Sequence, residues 1–114
     1  MALREKTCTA CQKATIALKG ASLSELKKQI DSSWQIVDDH HLQKTFPFKN
    51  FMAGLRFVNH IAEVAEKEGH HPDLELKYTA VTVKLYTHKV GGLTETDFIL
   101  ADKIDAILEQ MRGT

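Results

Sequence analysis

No apolar run in this chain of 114 residues approaches the roughly 20 needed to cross a bilayer, so the sequence offers no membrane span. Nor is there a charge excess. Fifteen Lys and Arg balance fifteen Asp and Glu, which removes the electrostatic footprint of a nucleic-acid or anionic-membrane binder. The opening residues Met1-Ala2-Leu3-Arg4-Glu5-Lys6 lack an apolar signal core, and the expected address is cytoplasmic. Cysteine is scarce: Cys8 and Cys11 stand alone in a C-x-x-C spacing. A thioredoxin-like redox pair needs a strand before it, and the preceding residues are few and polar. A structural zinc site needs two further ligands, and the histidines lie far away in sequence. Residues 1–21 are therefore read as an N-terminal arm and 22–114 as a single domain.

What the chain does have is a clear change of period along its length. Ser22-Leu23-Ser24-Glu25 fits a capping box, and Leu23, Leu26 and Ile30 recur at helical spacing, which predicts a short helix over 23–31. Trp34 to Val37 and His41 to Phe48 alternate as strands around a turn at Asp38-Asp39. Pro47 belongs at a strand end or on an edge. Asn50 caps a helix running through Glu68, with Phe51, Leu55, Val58, Ala62 and Ala65 as its buried stripe, widened by Met52, Phe57, Ile61 and Val64. Gly69 stands where a left-handed C-cap is expected, and His71-Pro72 forbids further helix. Leu74, Leu76 and Tyr78, then Val81, Val83 and Leu85, alternate with polar residues as a second hairpin. After the Val90-Gly91-Gly92 loop, Thr94-x-x-Asp97 is a second capping box, opening a helix over 95–111 striped by Phe98, Ala101, Ile104, Leu108 and Met111. The order α-β-β-α-β-β-α predicts an α+β fold, a four-stranded antiparallel sheet with helices packed on one face. The other face is then solvated or covered in an oligomer.

Of six histidines, His70 and His71 follow the long helix and His88 ends the last strand, at loops and element ends where functional side chains gather. Imidazole gives and takes protons near neutral pH. Glu66, one helical turn before His70, is placed to orient that ring. The bland readings compete: a loop histidine is ordinarily solvated, Glu66 is a helix-surface residue, Asp97 is a capping acid, and His40, His41 and His60 show no partner pattern. Three imidazoles and a water form a known catalytic zinc arrangement, but adjacent histidines on extended chain diverge. The spacing also lacks the i, i+4 signature of helix-borne ligands.

Taken together, Glu66, His70-His71-Pro72, Tyr78, His88 and Asp97 match in type and spacing the motif of the pterin-4a-carbinolamine dehydratases. Trp34 and Phe46-x-Phe48-Lys49-x-Phe51 also resemble that family's first hairpin, and the resemblance covers about residues 22–111. It implies the same α-β-β-α-β-β-α fold, a homodimer or homotetramer, and a hydro-lyase that uses no metal or other cofactor. The implied reaction dehydrates 4a-hydroxytetrahydropterin to quinonoid dihydropterin, recycling the pterin product of an aromatic amino acid hydroxylase. By position, His70 and His88 are implied as the general acid/base pair, His71 as the group that binds and orients the pterin, and Glu66 and Asp97 as holders of ring tautomers. Pro72 and Thr87 are implied to shape the pocket and Trp34 to wall it. The resemblance carries an alternative, since some members dimerise a transcription factor; the C-x-x-C arm departs from those.

Overall fold

The computed structural model describes residues 2–7 and 16–112, and Cys8 and Cys11 lie outside them. The described elements follow the expected order: α1 (Ala21–Lys27), β1 (Gln35–Val37), β2 (His41–Pro47), α2 (Phe51–Glu68), β3 (Asp73–Lys77), β4 (Ala80–Leu85) and α3 (Glu95–Arg112). Short 3₁₀ turns occur at Leu3–Glu5 and His88–Val90. The sheet order is β1-β2-β4-β3, antiparallel throughout, so the two hairpins meet along β2 and β4. Alternation sends Leu42, Phe46, Val81, Val83 and Leu85 into the core, where all are buried, and the helices cover that side. The opposite side carries Gln43, Thr45, Thr82 and Lys84, with the Thr45 and Thr82 hydroxyls 2.9 Å apart.

The β1–β2 turn is where the backbone is least comfortable. Asp38 and Asp39 have φ of 53° and 54°, and the His40 amide donates to the Val37 carbonyl at 2.9 Å. Positive φ at both central residues is the sign pattern of a type I′ turn, which favours Asn and Gly. Asp39→Gly is expected to raise unfolding stability by about 0.5–1 kcal/mol, read from the midpoint of urea denaturation. A lower midpoint would mean that the Asp39 carboxylate contributes more than its backbone costs.

Four expectations need correction. Helix α1 has Gly20, not Ser22, at its N-cap with φ 59° and no side-chain cap, so the Ser22 capping box does not form. It also ends at Lys27, because the following amides tighten to i→i+3 bonds, Gln29 to Leu26 and Ile30 to Lys27. The buried stripe of α2 is Gly54, Phe57, Ile61 and Ala65. Phe51 and Met52 face outward at 43% and 55% exposure. Gly54 sets that rotation: a Cβ there would lie 3.1 Å from Leu76 Cδ1, so the helix meets the sheet along its smallest residue. Tyr78 is not a strand residue but sits in the β3–β4 turn, largely exposed.

The first residues do more than an arm requires. Leu3 is buried in the core, and the Arg4 guanidinium donates to Asp102 and Glu109, both at 3.0 Å. The Lys103 ammonium in turn donates to the Arg4 carbonyl at 2.9 Å. This second layer explains why α3 is buried from Thr96 through Asp102, all the way round the helix and not only along the expected stripe.

Candidate active site

The corner after α2 is built by its last glycine. Gly69 adopts φ 67°, its amide bonds back to Ala65 and Glu66, and the His70 amide donates to the Ala65 carbonyl at 3.2 Å. This is the Schellman pattern, which satisfies the final carbonyls and reverses the chain. The reversal turns His70 inward. Its side chain is 7% exposed, and its Nε2 lies 2.6 Å from Asp97 Oδ1.

Asp97 is fully buried and is an acceptor on both oxygens. Oδ2 takes the Thr87 hydroxyl at 2.8 Å and the Thr94 amide at 2.9 Å. Because Thr87 donates to Asp97, its oxygen must accept from the Thr94 hydroxyl at 2.9 Å, which accepts in turn from Thr96 at 2.7 Å. A carboxylate can only accept, so His70 Nε2 carries the hydrogen and Nδ1 is the ring nitrogen that this pair does not engage. The loop that supplies Thr87 and Thr94 is itself pinned. Thr87 and Gly92 form an isolated antiparallel bridge, and Leu18 donates to the Leu93 carbonyl at 2.8 Å. Gly92 passes so close to Ala17 that a Cβ would come within 2.7 Å of it.

His71 turns the other way. Its side chain is 61% exposed, and its Nε2 pairs with Glu66 Oε2. Glu66 therefore serves His71 and not His70, contrary to the sequence expectation. Pro72, half-buried, leads from this pair into β3. His88 opens the 3₁₀ turn just beyond β4 and is exposed. Among the described residues no hydrogen bond or ring contact joins it to His70 or His71; the link runs through Thr87 and Asp97. Trp34 sits elsewhere. It is fully buried, its Nε1 donates to Asp105 Oδ2 at 2.9 Å, and its ring meets Phe46 edge-on, so it does not wall this corner. Among the described residues no group of three or more His, Cys, Asp or Glu is arranged to hold a metal ion.

A buried His–Asp pair beside an exposed His–Glu pair stands on this fold where the family motif falls. The family model for pterin 4 alpha carbinolamine dehydratase matches residues 17–107. The chain belongs to that family. A relative from Alkaliphilus metalliredigens, provisionally named a pterin-4-alpha-carbinolamine dehydratase, is 43% identical, covering 90% of this chain and 93% of its own. A relative from Rubrobacter xylanophilus with the same provisional name is 42% identical, covering 92% and 97%. Among solved structures, a transcriptional coactivator/pterin dehydratase from Brucella melitensis superposes with a TM-score of 0.74 at 36% identity, covering 80% of this chain and 97% of that one. A pterin dehydratase-like RuBisCO assembly factor of the alpha-carboxysome gives 0.57 at 26%, covering 66% and 88%.

Within this pterin carbinolamine dehydratase scaffold, sequence reasoning missed Thr94. Its helix-capping place was legible, but its part in closing the hydroxyl chain onto Thr87 was not. The cue was the pair of threonines flanking the glycine loop, seven residues apart, which only a reversal of the chain brings into contact. No helix of the described residues is long and apolar enough to cross a membrane.

Proposed function

We propose that this protein dehydrates a 4a-hydroxytetrahydropterin. The substrate loses its C4a hydroxyl as water and one ring N–H proton, giving the quinonoid dihydropterin. The hydroxyl is a poor leaving group until protonated, and the nitrogen must release a proton. The atoms balance with one proton accepted and one returned, and no redox change is needed. Positioned imidazoles supply such transfers, typically worth about 10²–10⁴-fold. The observation that carries the reading is the buried His70–Asp97 pair, whose acceptor bonds commit Nε2 and leave Nδ1 to exchange protons. In this reading His70 and His88 form the acid/base pair, and Thr87 and Pro72 shape the surroundings. His71, exposed and braced by Glu66, orients the pterin. The role is recycling of the pterin made by an aromatic amino acid hydroxylase, by a homodimer or homotetramer; the outward Phe51 and Met52 of α2 suit burial against another copy.

The test follows the decay of 4a-carbinolamine absorbance with and without protein. Acceleration above the spontaneous rate is expected. His71→Ala is expected to raise KM about tenfold while leaving kcat within about twofold, the signature of lost uniform binding. No acceleration by the wild-type protein would defeat the reading. It would favour instead a protein-binding role, of the kind that the name transcriptional coactivator gives the Brucella melitensis relative.

A further inference from the structure

Four rings run along the outward side of the sheet, where β2 and β4 begin and end. His41 and His40 lie edge to face at 5.3 Å between centroids, with their Nδ1 atoms 3.1 Å apart. His40 packs on Tyr86 at 4.6 Å and 41°, and Tyr86 packs on His88 at 4.2 Å and 31°. Topology places them. The last registered pair of β2 and β4 is Leu42 with Leu85; one step beyond it stand His41, the first residue of β2, and Tyr86, just past the end of β4, both on the outward side by alternation. The strained Asp38-Asp39 turn then delivers His40. Lys84 Nζ lies 5.8 Å from the Tyr86 ring centre, adding a cation at the ring. Burial pushes the His41 imidazole below its usual range, with Lys84 and His40 adding repulsion, which favours a neutral ring at this end of the row.

His88 needs such support. It follows the end of β4, opens a three-residue 3₁₀ turn and is exposed. Among the described residues its imidazole makes no hydrogen bond, and Tyr86 is its one ring partner. An exposed imidazole held by nothing hops among rotamers on the ps–ns scale, and acid/base transfer requires a defined approach. We infer that Tyr86, backed by His40, is a positioning residue that holds the His88 ring for proton transfer. The inference rests on the dehydratase reading for its consequence and on the ring geometry for its structure. Tyr86 itself exchanges no proton here; what it supplies is a face.

The experiment pairs kinetics with imidazole NMR. Tyr86→Ala is expected to lower kcat about three- to tenfold with KM little changed, the population loss expected when one aromatic contact is removed. Tyr86→Phe keeps the face and is expected to hold kcat within about twofold of wild type. His40→Ala should fall between them, and His40→Phe should restore the rate. Independently, the His88 Hε1 resonance should carry a Tyr86 ring-current shift in wild type and Tyr86→Phe, and lose it in Tyr86→Ala. Unchanged melting temperatures guard against a folding defect, and His40→Ala, at the turn, keeps the test open should Tyr86→Ala unfold. Wild-type kcat in Tyr86→Ala, or no ring-current shift on His88 in the wild type, would overturn the inference. A wild-type protein without dehydratase activity but with the shift intact would overturn the dehydratase reading and the positioning consequence, leaving only the ring stack.

Discussion

His70→Ala is expected to slow dehydration by about 10²–10⁴-fold, the span that positioned general acid/base groups supply. Its Nε2 is committed to Asp97 at 2.6 Å, so the ring arrives with its tautomer set and no step spent on reorientation. The partner's contribution is separable. Asp97→Asn keeps the shape of the buried site but adds an amide donor that can face Nε2. A tautomer then has to invert, or the amide has to turn and leave the Thr87 and Thr94 donors poorly matched. About 10–100-fold in kcat is expected from such outer-partner losses, together with a stability loss from mismatched buried donors. His88→Ala should approach the His70→Ala effect, whereas His71→Ala should act through KM. Measuring kcat and KM separately for the four variants distinguishes these roles. Wild-type turnover in both His70→Ala and His88→Ala would remove the acid/base assignment altogether.

Much of this architecture is legible in the sequence. The shift from period 3.6 to period 2 and back located each element, and Gly69 and Thr94-x-x-Asp97 announced their caps. The misread points share a cause: they depend on what lies across the fold, not along it. Glu66 is four residues before His70, so helical geometry assigns it to that ring. The left-handed Gly69 breaks the geometry one residue earlier, sending His70 inward and bringing His71 back over Glu66. His40 showed no pattern because its partner Tyr86 lies just past the end of β4, a strand whose adjacency to β2 no local signal encodes. Leu3 and Arg4 lack periodicity because a three-residue turn has none to show, yet together they bury the outer side of α3. Trp34 matched the family's hairpin, but which side of the sheet its indole occupies followed from Asp105, 71 positions away.

That same indole contact leads to the largest expected change in stability. Lys44 is a core-facing residue of β2 only 12% exposed, with Nζ 2.8 Å from Asp105 and 3.4 Å from Asp31. It also stands over the Phe46 ring at 4.6 Å. Removing one partner of a buried ion pair strands the other, typically at a cost of about 3–5 kcal/mol, so Lys44→Met should lose roughly that much at neutral pH. The pH dependence follows from Asp105. Burial pushes its carboxyl up, against the opposing pull of the Lys44 and Trp34 hydrogen bonds. The folded protein therefore holds this proton to higher pH than the unfolded chain, whose aspartates titrate near 3.9. Its contribution to stability is greatest below that value and is lost as the pH rises through the folded pKa. Deleting Lys44 removes a downward pull and widens that window. The loss in Lys44→Met should thus shrink as urea denaturation is repeated from about pH 7 down to about pH 4. Adding Asp105→Asn, which keeps an acceptor for the Trp34 indole, should recover most of the neutral-pH loss. A single-variant loss under about 1 kcal/mol, or a double variant no better than the single one, would mean that water reaches the pair and relieves Asp105 of its need for Lys44.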